Sequence, residues 1–134
     1  MEILEKAAAL ADSCQAFTLA SVTGARYPRV CVMAKLKNEG IVKAWCSTRF
    51  GGAKVRHFLA NPKASLCYWK GADNATLIGT VEVKTDRATR EAFWQDWFYG
   101  HFPAGIDDPG YCVLEFTAHE ATYWIDGEFV TAAV

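Results

Sequence analysis

A chain of 134 residues that is 51% hydrophobic can fill the core of one ordinary domain, and it carries no linker, low-complexity tract or repeat, so a single domain over 1–134 is expected. The formal net charge of -1 is spread without long runs of one sign, which excludes a broad electrostatic footprint for nucleic acid or anionic lipid. No apolar run reaches the length of a membrane span.

The opening MEILEKAAALADSC is acidic and helical in pattern, with Ile3, Leu4, Ala7, Leu10 and Ala11 on one stripe suited to covering the end of a sheet. It lacks the basic and apolar regions of a secretory leader, so a cytoplasmic location is expected. From Phe17 the period becomes strand-like. FTLASV (17–22), the turn TGARY and PRVCVMAKL (28–36) predict a hairpin, with Val30, Val32, Ala34 and Leu36 on one face and Arg29, Cys31, Met33 and Lys35 on the other. NEG (38–40) predicts a turn, and IVKAWCS (41–47) a strand that runs into RFGGAKVRHFLANP (49–62). There Val55, Phe58 and Leu59 have helical spacing, and Asn61-Pro62 stops the helix.

ASLCYW (64–69) and ATLIGTVEVK (75–84) read as a strand pair joined through Gly71, Asp73 and Asn74. TDRATREAFWQDWF (85–98) starts with good N-cap residues and spaces Ala88, Ala92, Phe93 and Trp97 as a helical stripe. GHFPAGIDDPG (100–110) reads as a loop, and YCVLEFTAHEATYWI (111–125) as two strands or one long strand broken near Thr117-Ala118. About six short strands with two or three helices give the expected fold class, mainly β with helices (α+β), as a small barrel with flanking helices.

The charges of 49–62 run against the helix dipole. A helix start attracts anions, yet Lys54 and Arg56 occupy its first turns, Arg49 precedes them, and no acid is present. Strand, Gly-Gly and helix in that order present free backbone N–H groups, and with Ser47 and Thr48 nearby they suit a phosphate; the same residues also suit a solvated basic helix face. The cysteines Cys14, Cys31, Cys46, Cys67 and Cys112 include no C-x-x-C pair and read as core thiols rather than nucleophiles. His57, His101 and His119 lack zinc spacing, and His57 reads as an ordinary helix residue. Asp107-Asp108 reads as a capping or solvated pair. The aromatic residues fill a core or a subunit interface, and some could stack on a flat ring.

Taken in order, PRVCVMA (28–34), WCSTRFGGAKVRHFLANPKASLCYW (45–69), LIGTVEV (77–83) and WFYGHFPAGIDDPGYCVLEF (97–116) resemble the FMN-binding split-barrel family typified by pyridoxamine 5'-phosphate oxidase, its general-stress-protein-26-like branch above all. The resemblance implies a six-stranded antiparallel split β-barrel that is homodimeric, with FMN sites at the interface. It implies that the FMN phosphate is held by Arg29, by Ser47 or Thr48, and by Lys54, and that the backbone at Met33-Ala34 and Trp45-Cys46 lines the isoalloxazine. Asn74 aligns with a flavin-contacting glutamine, and Trp124 with a tryptophan contributed by the second subunit. Where the family's pyridoxal-phosphate-forming oxidases carry an Arg/His-rich motif after the W-x-G segment, this sequence reads IDGEFVTAAV, so that activity is not expected.

The function so implied is flavin-dependent redox chemistry on a small electron donor or acceptor, with no metal and no residue required as acid or base for hydride transfer. Two other readings stay open. One is a binding module that sequesters or senses FMN, a deazaflavin or haem without turnover, a haem needing His57, His101 or Met33 as axial ligand. The other is a scaffold dimer with a vestigial pocket.

Overall fold

The computed structural model describes residues 2–134. In chain order it contains α1 (Ile3–Ser13), β1 (Ala16–Val22), β2 (Pro28–Ala34), β3 (Lys37–Glu39), β4 (Lys43–Arg49), α2 (Ala53–Ala60), β5 (Lys63–Lys70), β6 (Asp73–Lys84), α3 (Arg87–Phe93), 3-10 turns at Asp96–Gly100 and Gly105–Asp107, β7 (Tyr111–Ile125) and β8 (Glu128–Ala133). The strands form one antiparallel sheet in the order β2-β1-β5-β6-β7-β4-β3, with β8 added on β7. It curls until β2 approaches β4 without pairing to it, which leaves a split between those two strands.

Eight strands therefore replace the expected six. The two additions have different causes. β3 is the polar tripeptide Lys-Asn-Glu, which pairs with β4 but carries no apolar alternation, so it reads as a turn. β8 follows Asp126 and Gly127 at φ 53° and 76°, the two positive values of a type I′ hairpin, and Asp-Gly between alternating apolar residues is a strong hairpin signal present in the sequence.

Side chains pointing inward from the curled sheet make the main core, among them Phe17 and Leu19 of β1, Leu66 and Tyr68 of β5, Leu77 of β6, and Leu114, Phe116 and Tyr123 of β7. α1 closes one end with Ala7, Leu10 and Ala11, while Leu4 of the expected stripe is 55% exposed. α2 closes toward the other end with Val55 and Phe58, and Leu59 is exposed. β7 is one strand of 15 residues; its pairing with β6 shifts after Ile78–Glu120, so that Gly79 faces Ala118 and His119 is the extra residue of a bulge.

The helix expected over 85–98 stops at Phe93. Trp94 is extended, at φ -62° and ψ 137°, and the chain resumes as a 3-10 turn. Ala88, Ala92 and Trp97 are exposed rather than buried. The break lets Trp94, Phe98 and Phe102 surround Tyr111, with ring centroids 5.4, 5.6 and 5.1 Å away. Together with Trp45 and Val113 they form a second apolar cluster outside the barrel wall. The structure also decides which face of β2 is the inner one. Val30 and Val32 are 66% exposed, whereas Cys31 and Met33 turn toward the barrel, so the more apolar face of this strand is the outer one.

Candidate functional site

The junction between β4 and α2 supplies the local geometry of the site. Gly52 is the N-cap of α2, gives no side-chain cap and is followed by no acidic residue in the first turn, so that turn's N–H groups have no side-chain acceptor. The loop is nevertheless tight: Gly52 N–H donates to Arg49 O at 2.9 Å, and Arg56 Nη1 donates to Gly51 O at 3.1 Å. Leu36 N–H donates to Trp45 O at 2.9 Å, which turns the Trp45 backbone toward β3. By antiparallel alternation, Ser47 and Arg49 then face away from β7, beyond the point where β3 ends. Their backbone groups lie along the split.

A pocket of about 260 Å³ opens here, lined by Ser47, Thr48, Arg49, Trp97, His101 and Phe102. Register divides the two hydroxyls: Thr48 shares the inner face with Cys46, while Ser47 shares the outer face with Trp45 and Val113. On the facing edge, Arg29 pairs with Ser21 and Met33 with Phe17, which places Arg29, Cys31 and Met33 on the inner side of β2, and Ala34 on the outer side. The Cys31 thiol lies 3.7 Å from Met33 Sδ. Burial pushes the Cys46 thiol far up, Cys31 reinforces this, and the positive charge of Lys54 opposes it, so Cys31, Cys46 and Lys54 share one neighbourhood. Burial likewise raises Cys112 to about 11. Both thiols stay protonated at neutral pH and are buried core thiols, whereas the free Cys14, Cys31 and Cys67 are only half-buried.

Of the expected residues, Ser47 and Thr48 share the pocket and Cys46 lies near Lys54, whereas two others are far from them. Asn74 and Trp124 are direct cross-strand partners, and Asn74 Nδ2 donates to Ala72 O at 3.2 Å. Along β7, Trp124 is eleven residues from Val113, the partner of Ser47, or about 36 Å at about 3.3 Å per residue. Within one chain, Asn74 and Trp124 are therefore at the opposite end of the sheet from Ser47. The Trp45 indole packs on Phe93 and donates to Glu115 Oε1 at 3.0 Å, and its carbonyl is taken by Leu36, so Ser47 is the neighbour with open backbone groups.

The pocket adds two residues with no site role in the sequence reading, Trp97 and Phe102, and it sets Arg49 of the basic stretch and His101 of the haem alternative in one wall. The Gly/Pro composition of 100–110 marks a loop but does not say where it folds back. Asp108 places it, accepting from Ala104 N–H at 3.0 Å and Gly110 N–H at 2.8 Å, and those donors hold its carboxyl below the ordinary range. Asp86 is held low in the same way by the hydroxyl and N–H of Thr89 as it caps α3. A carboxyl whose folded pKa is depressed stabilises the fold above its unfolded value of about 3.9 and loses that contribution as pH falls through the folded value. Acidification below about pH 4 is accordingly expected to loosen the segment carrying Trp94 and Trp97, with a change in tryptophan fluorescence. That change should shift in Asp108→Asn; an acid transition identical in the variant would remove Asp108 as its cause.

The profile of the family described as Pyridoxamine 5'-phosphate oxidase like matches residues 6–134. This chain belongs to that family. Among solved structures, a Clostridium acetobutylicum protein of the pyridoxinephosphate oxidase family, related to general stress protein 26 of B. subtilis, is 30% identical, with a TM-score of 0.85 over 98% of this chain and 94% of that one. General stress protein 26 from Bacillus anthracis superposes with a TM-score of 0.79 at 19% identity, covering 98% of this chain and all (100%) of that one. A heme binding protein from Mycobacterium smegmatis shares the fold at 18% identity and a TM-score of 0.79, covering 99% of this chain and 58% of that one. No curated protein matches the sequence. The family's split-barrel architecture is thus established for this chain. Among the described residues, no helix is long and apolar enough to cross a membrane, and no group of three or more His, Cys, Asp or Glu is placed to hold a metal.

Proposed function

We propose that this family member is a cytoplasmic, single-domain FMN-binding homodimer that performs flavin redox chemistry on a small molecule. The observation that carries the reading is the β4–α2 junction, where an uncapped helix start, two hydroxyls and unpaired cations meet the open edge of β4. A phosphate dianion fits there. Lys54 stands in the first turn of α2, Arg29 faces inward across the split, and neither has a carboxylate within ion-pair distance among the described residues. Charge-assisted bonds from these cations and from the free N–H groups would hold the phosphate, with Thr48 or Ser47 adding a hydroxyl. The backbone of Ser47 would offer a donor and an acceptor to the polar edge of a flat ring, and Met33 would supply an adaptable apolar contact. When bound, FMN supplies the hydride and electron chemistry, which needs no side chain as acid or base.

The outer face of the sheet supports the homodimer. Register aligns Val32, Thr18, Cys67, Thr76, Thr122 and Thr131 in one row across six strands, none of them charged. The neighbouring Val30, Ile78, Trp124 and Phe129 are exposed. Soluble monomers seldom leave so broad an uncharged face uncovered, and a second copy would cover it symmetrically. The same arrangement would bring Asn74 and Trp124 of one copy toward the split of the other, which one chain cannot do.

The test is titration of FMN fluorescence against purified protein, with sedimentation to give the mass. Saturable quenching at one FMN per chain in a dimeric particle is expected, followed by flavin turnover with reduced nicotinamide as donor. A protein that leaves FMN fluorescence unchanged would sink the reading. The second reading, haem binding, draws on His101, whose imidazole lines the pocket, whereas His57 is bonded to Ser21 and the Met33 sulfur lies against Cys31. It would show as an intense haem absorbance on addition of haem, lost in His101→Ala.

A further inference from the structure

Charge is segregated along this chain although no single run is long. Residues 13–72 hold ten of the 14 Lys and Arg but one acid, Glu39; the remaining residues hold four basic and fourteen acidic side chains. Several of the basic residues gather at the end of the barrel where β1 turns into β2 and α2 packs. Between that turn and the last turns of α2 lies a second cavity of about 460 Å³, separate from the pocket at Ser47. Its walls include Thr23, Gly24 and Arg26 from the turn, and Arg56, His57 and Asn61 from the helix and its C-cap.

Hydrogen bonds fix the backbone that carries Arg26, the Arg56 guanidinium and the His57 ring. Arg26 sits at φ 68° because the turn closes on itself, its N–H donating to Thr23 O at 2.9 Å while Thr23 N–H donates to Tyr27 O at 2.9 Å. The bond from Arg56 Nη1 to Gly51 O, 3.1 Å long, steadies that guanidinium on the helix surface. His57 Nδ1 is 2.9 Å from Oγ of Ser21, a buried hydroxyl, so its Nε2 is the nitrogen left for the cavity. If the Ser21 hydroxyl donates to Nδ1, Nε2 carries the proton and becomes a donor. Neither arginine has a carboxylate within ion-pair distance among the described residues.

We propose that this cavity is a binding site for a compact phosphate-bearing polyanion, held by Arg26, Arg56 and His57. Two guanidinium forks and an imidazole match several anionic oxygens at once, and the volume falls within the range of about 300–1,000 Å³ usual for small-molecule sites. The imidazole aside, no ring lines the walls, so a base or a flavin has nothing to stack on. The ligand is therefore a diphosphate or a small phosphorylated metabolite rather than a nucleoside. Binding there does not require FMN, although Arg56 also bonds Gly51 of the β4–α2 loop.

The test is calorimetric titration of inorganic pyrophosphate at low ionic strength, with adenosine monophosphate as comparison. One pyrophosphate per chain is expected, bound more tightly than the nucleotide and also by the Arg29→Ala/Lys54→Ala variant, with affinity falling about tenfold in Arg26→Gln and in Arg56→Gln. Both arginines are exposed, and glutamine keeps their side-chain length, so folding should be preserved, as thermal melting would verify. The His57 ring resonances should shift at saturation. Absence of binding, unchanged affinity in both single variants, or loss of binding in the Arg29/Lys54 variant alone would overturn the proposal, the last by moving the anion to the β4–α2 junction.

Discussion

Replacing Arg29 and Lys54 together by alanine is expected to weaken FMN binding by roughly 10²- to 10⁴-fold while leaving the fold intact. The magnitude follows from the cost of losing a hydrogen bond to a charged group, about 1.5–3 kcal/mol for each of two cations. Arg29 is exposed on an edge strand and Lys54 only half-buried, so solvent screening favours the lower part of that range. The fold should survive because neither side chain makes an ion pair or a side-chain hydrogen bond among the described residues, and the apolar contacts of α2 come from Val55 and Phe58. The measurement is a fluorescence-quenching titration of the double variant, with Arg29→Lys as a control that retains charge but not the planar fork. Affinity equal to the parent protein would mean that the phosphate lies elsewhere, and Arg49, already in the wall of the adjacent pocket, would be the next candidate.

Legibility of this structure in its sequence divides along a physical line. Alternation and turn chemistry are local, and they marked β1, β2, β4, β5, β6 and the Gly-Gly entry into α2 within a few residues. Alternation alone does not say which face is inside. β2 was therefore reversible, and it lies with Val30 and Val32 outward because Arg29, Cys31 and Met33 line the split. The helix after β6 failed for a related reason: the aromatic spacing of 93–98 is helical, but Trp94, Phe98 and Phe102 gain more by closing on Tyr111 than by continuing a helix. The strand β8 is legible in the hairpin signal of Asp126-Gly127. At the site, residues close in sequence were found together, Ser47 through Lys54, because one junction carries them. His101 and Phe102 reach the pocket through a loop whose path depends on Asp108, and no local pattern encodes that path.

Gly79→Ala should be among the most damaging single substitutions in the barrel. The two longest strands, β6 and β7, meet at this residue across the bulge, and a Cβ added there would stand 1.9 Å from Thr117 O, 2.8 Å from Thr117 C and 3.0 Å from Ala118 Cα. All three are backbone atoms of the neighbouring strand, so no side-chain rotation relieves the clash. Relief requires β6 and β7 to part or to slip in register, and a one-residue slip would turn Leu77 and Val81 out of the core. Overpacking in a well-filled interior costs about 1–3 kcal/mol when side chains can adjust, and a rigid backbone contact belongs at or above the top of that range. For a chain of this size, the loss in Tm would be on the order of 10 °C. Gly24→Ala is the matched control, because its added Cβ meets nothing within 4 Å. Thermal melting of the two variants separates the possibilities: a parent-like Tm for Gly79→Ala would mean that β6 and β7 do not approach this closely, and the bulge at His119 would lose its structural reason.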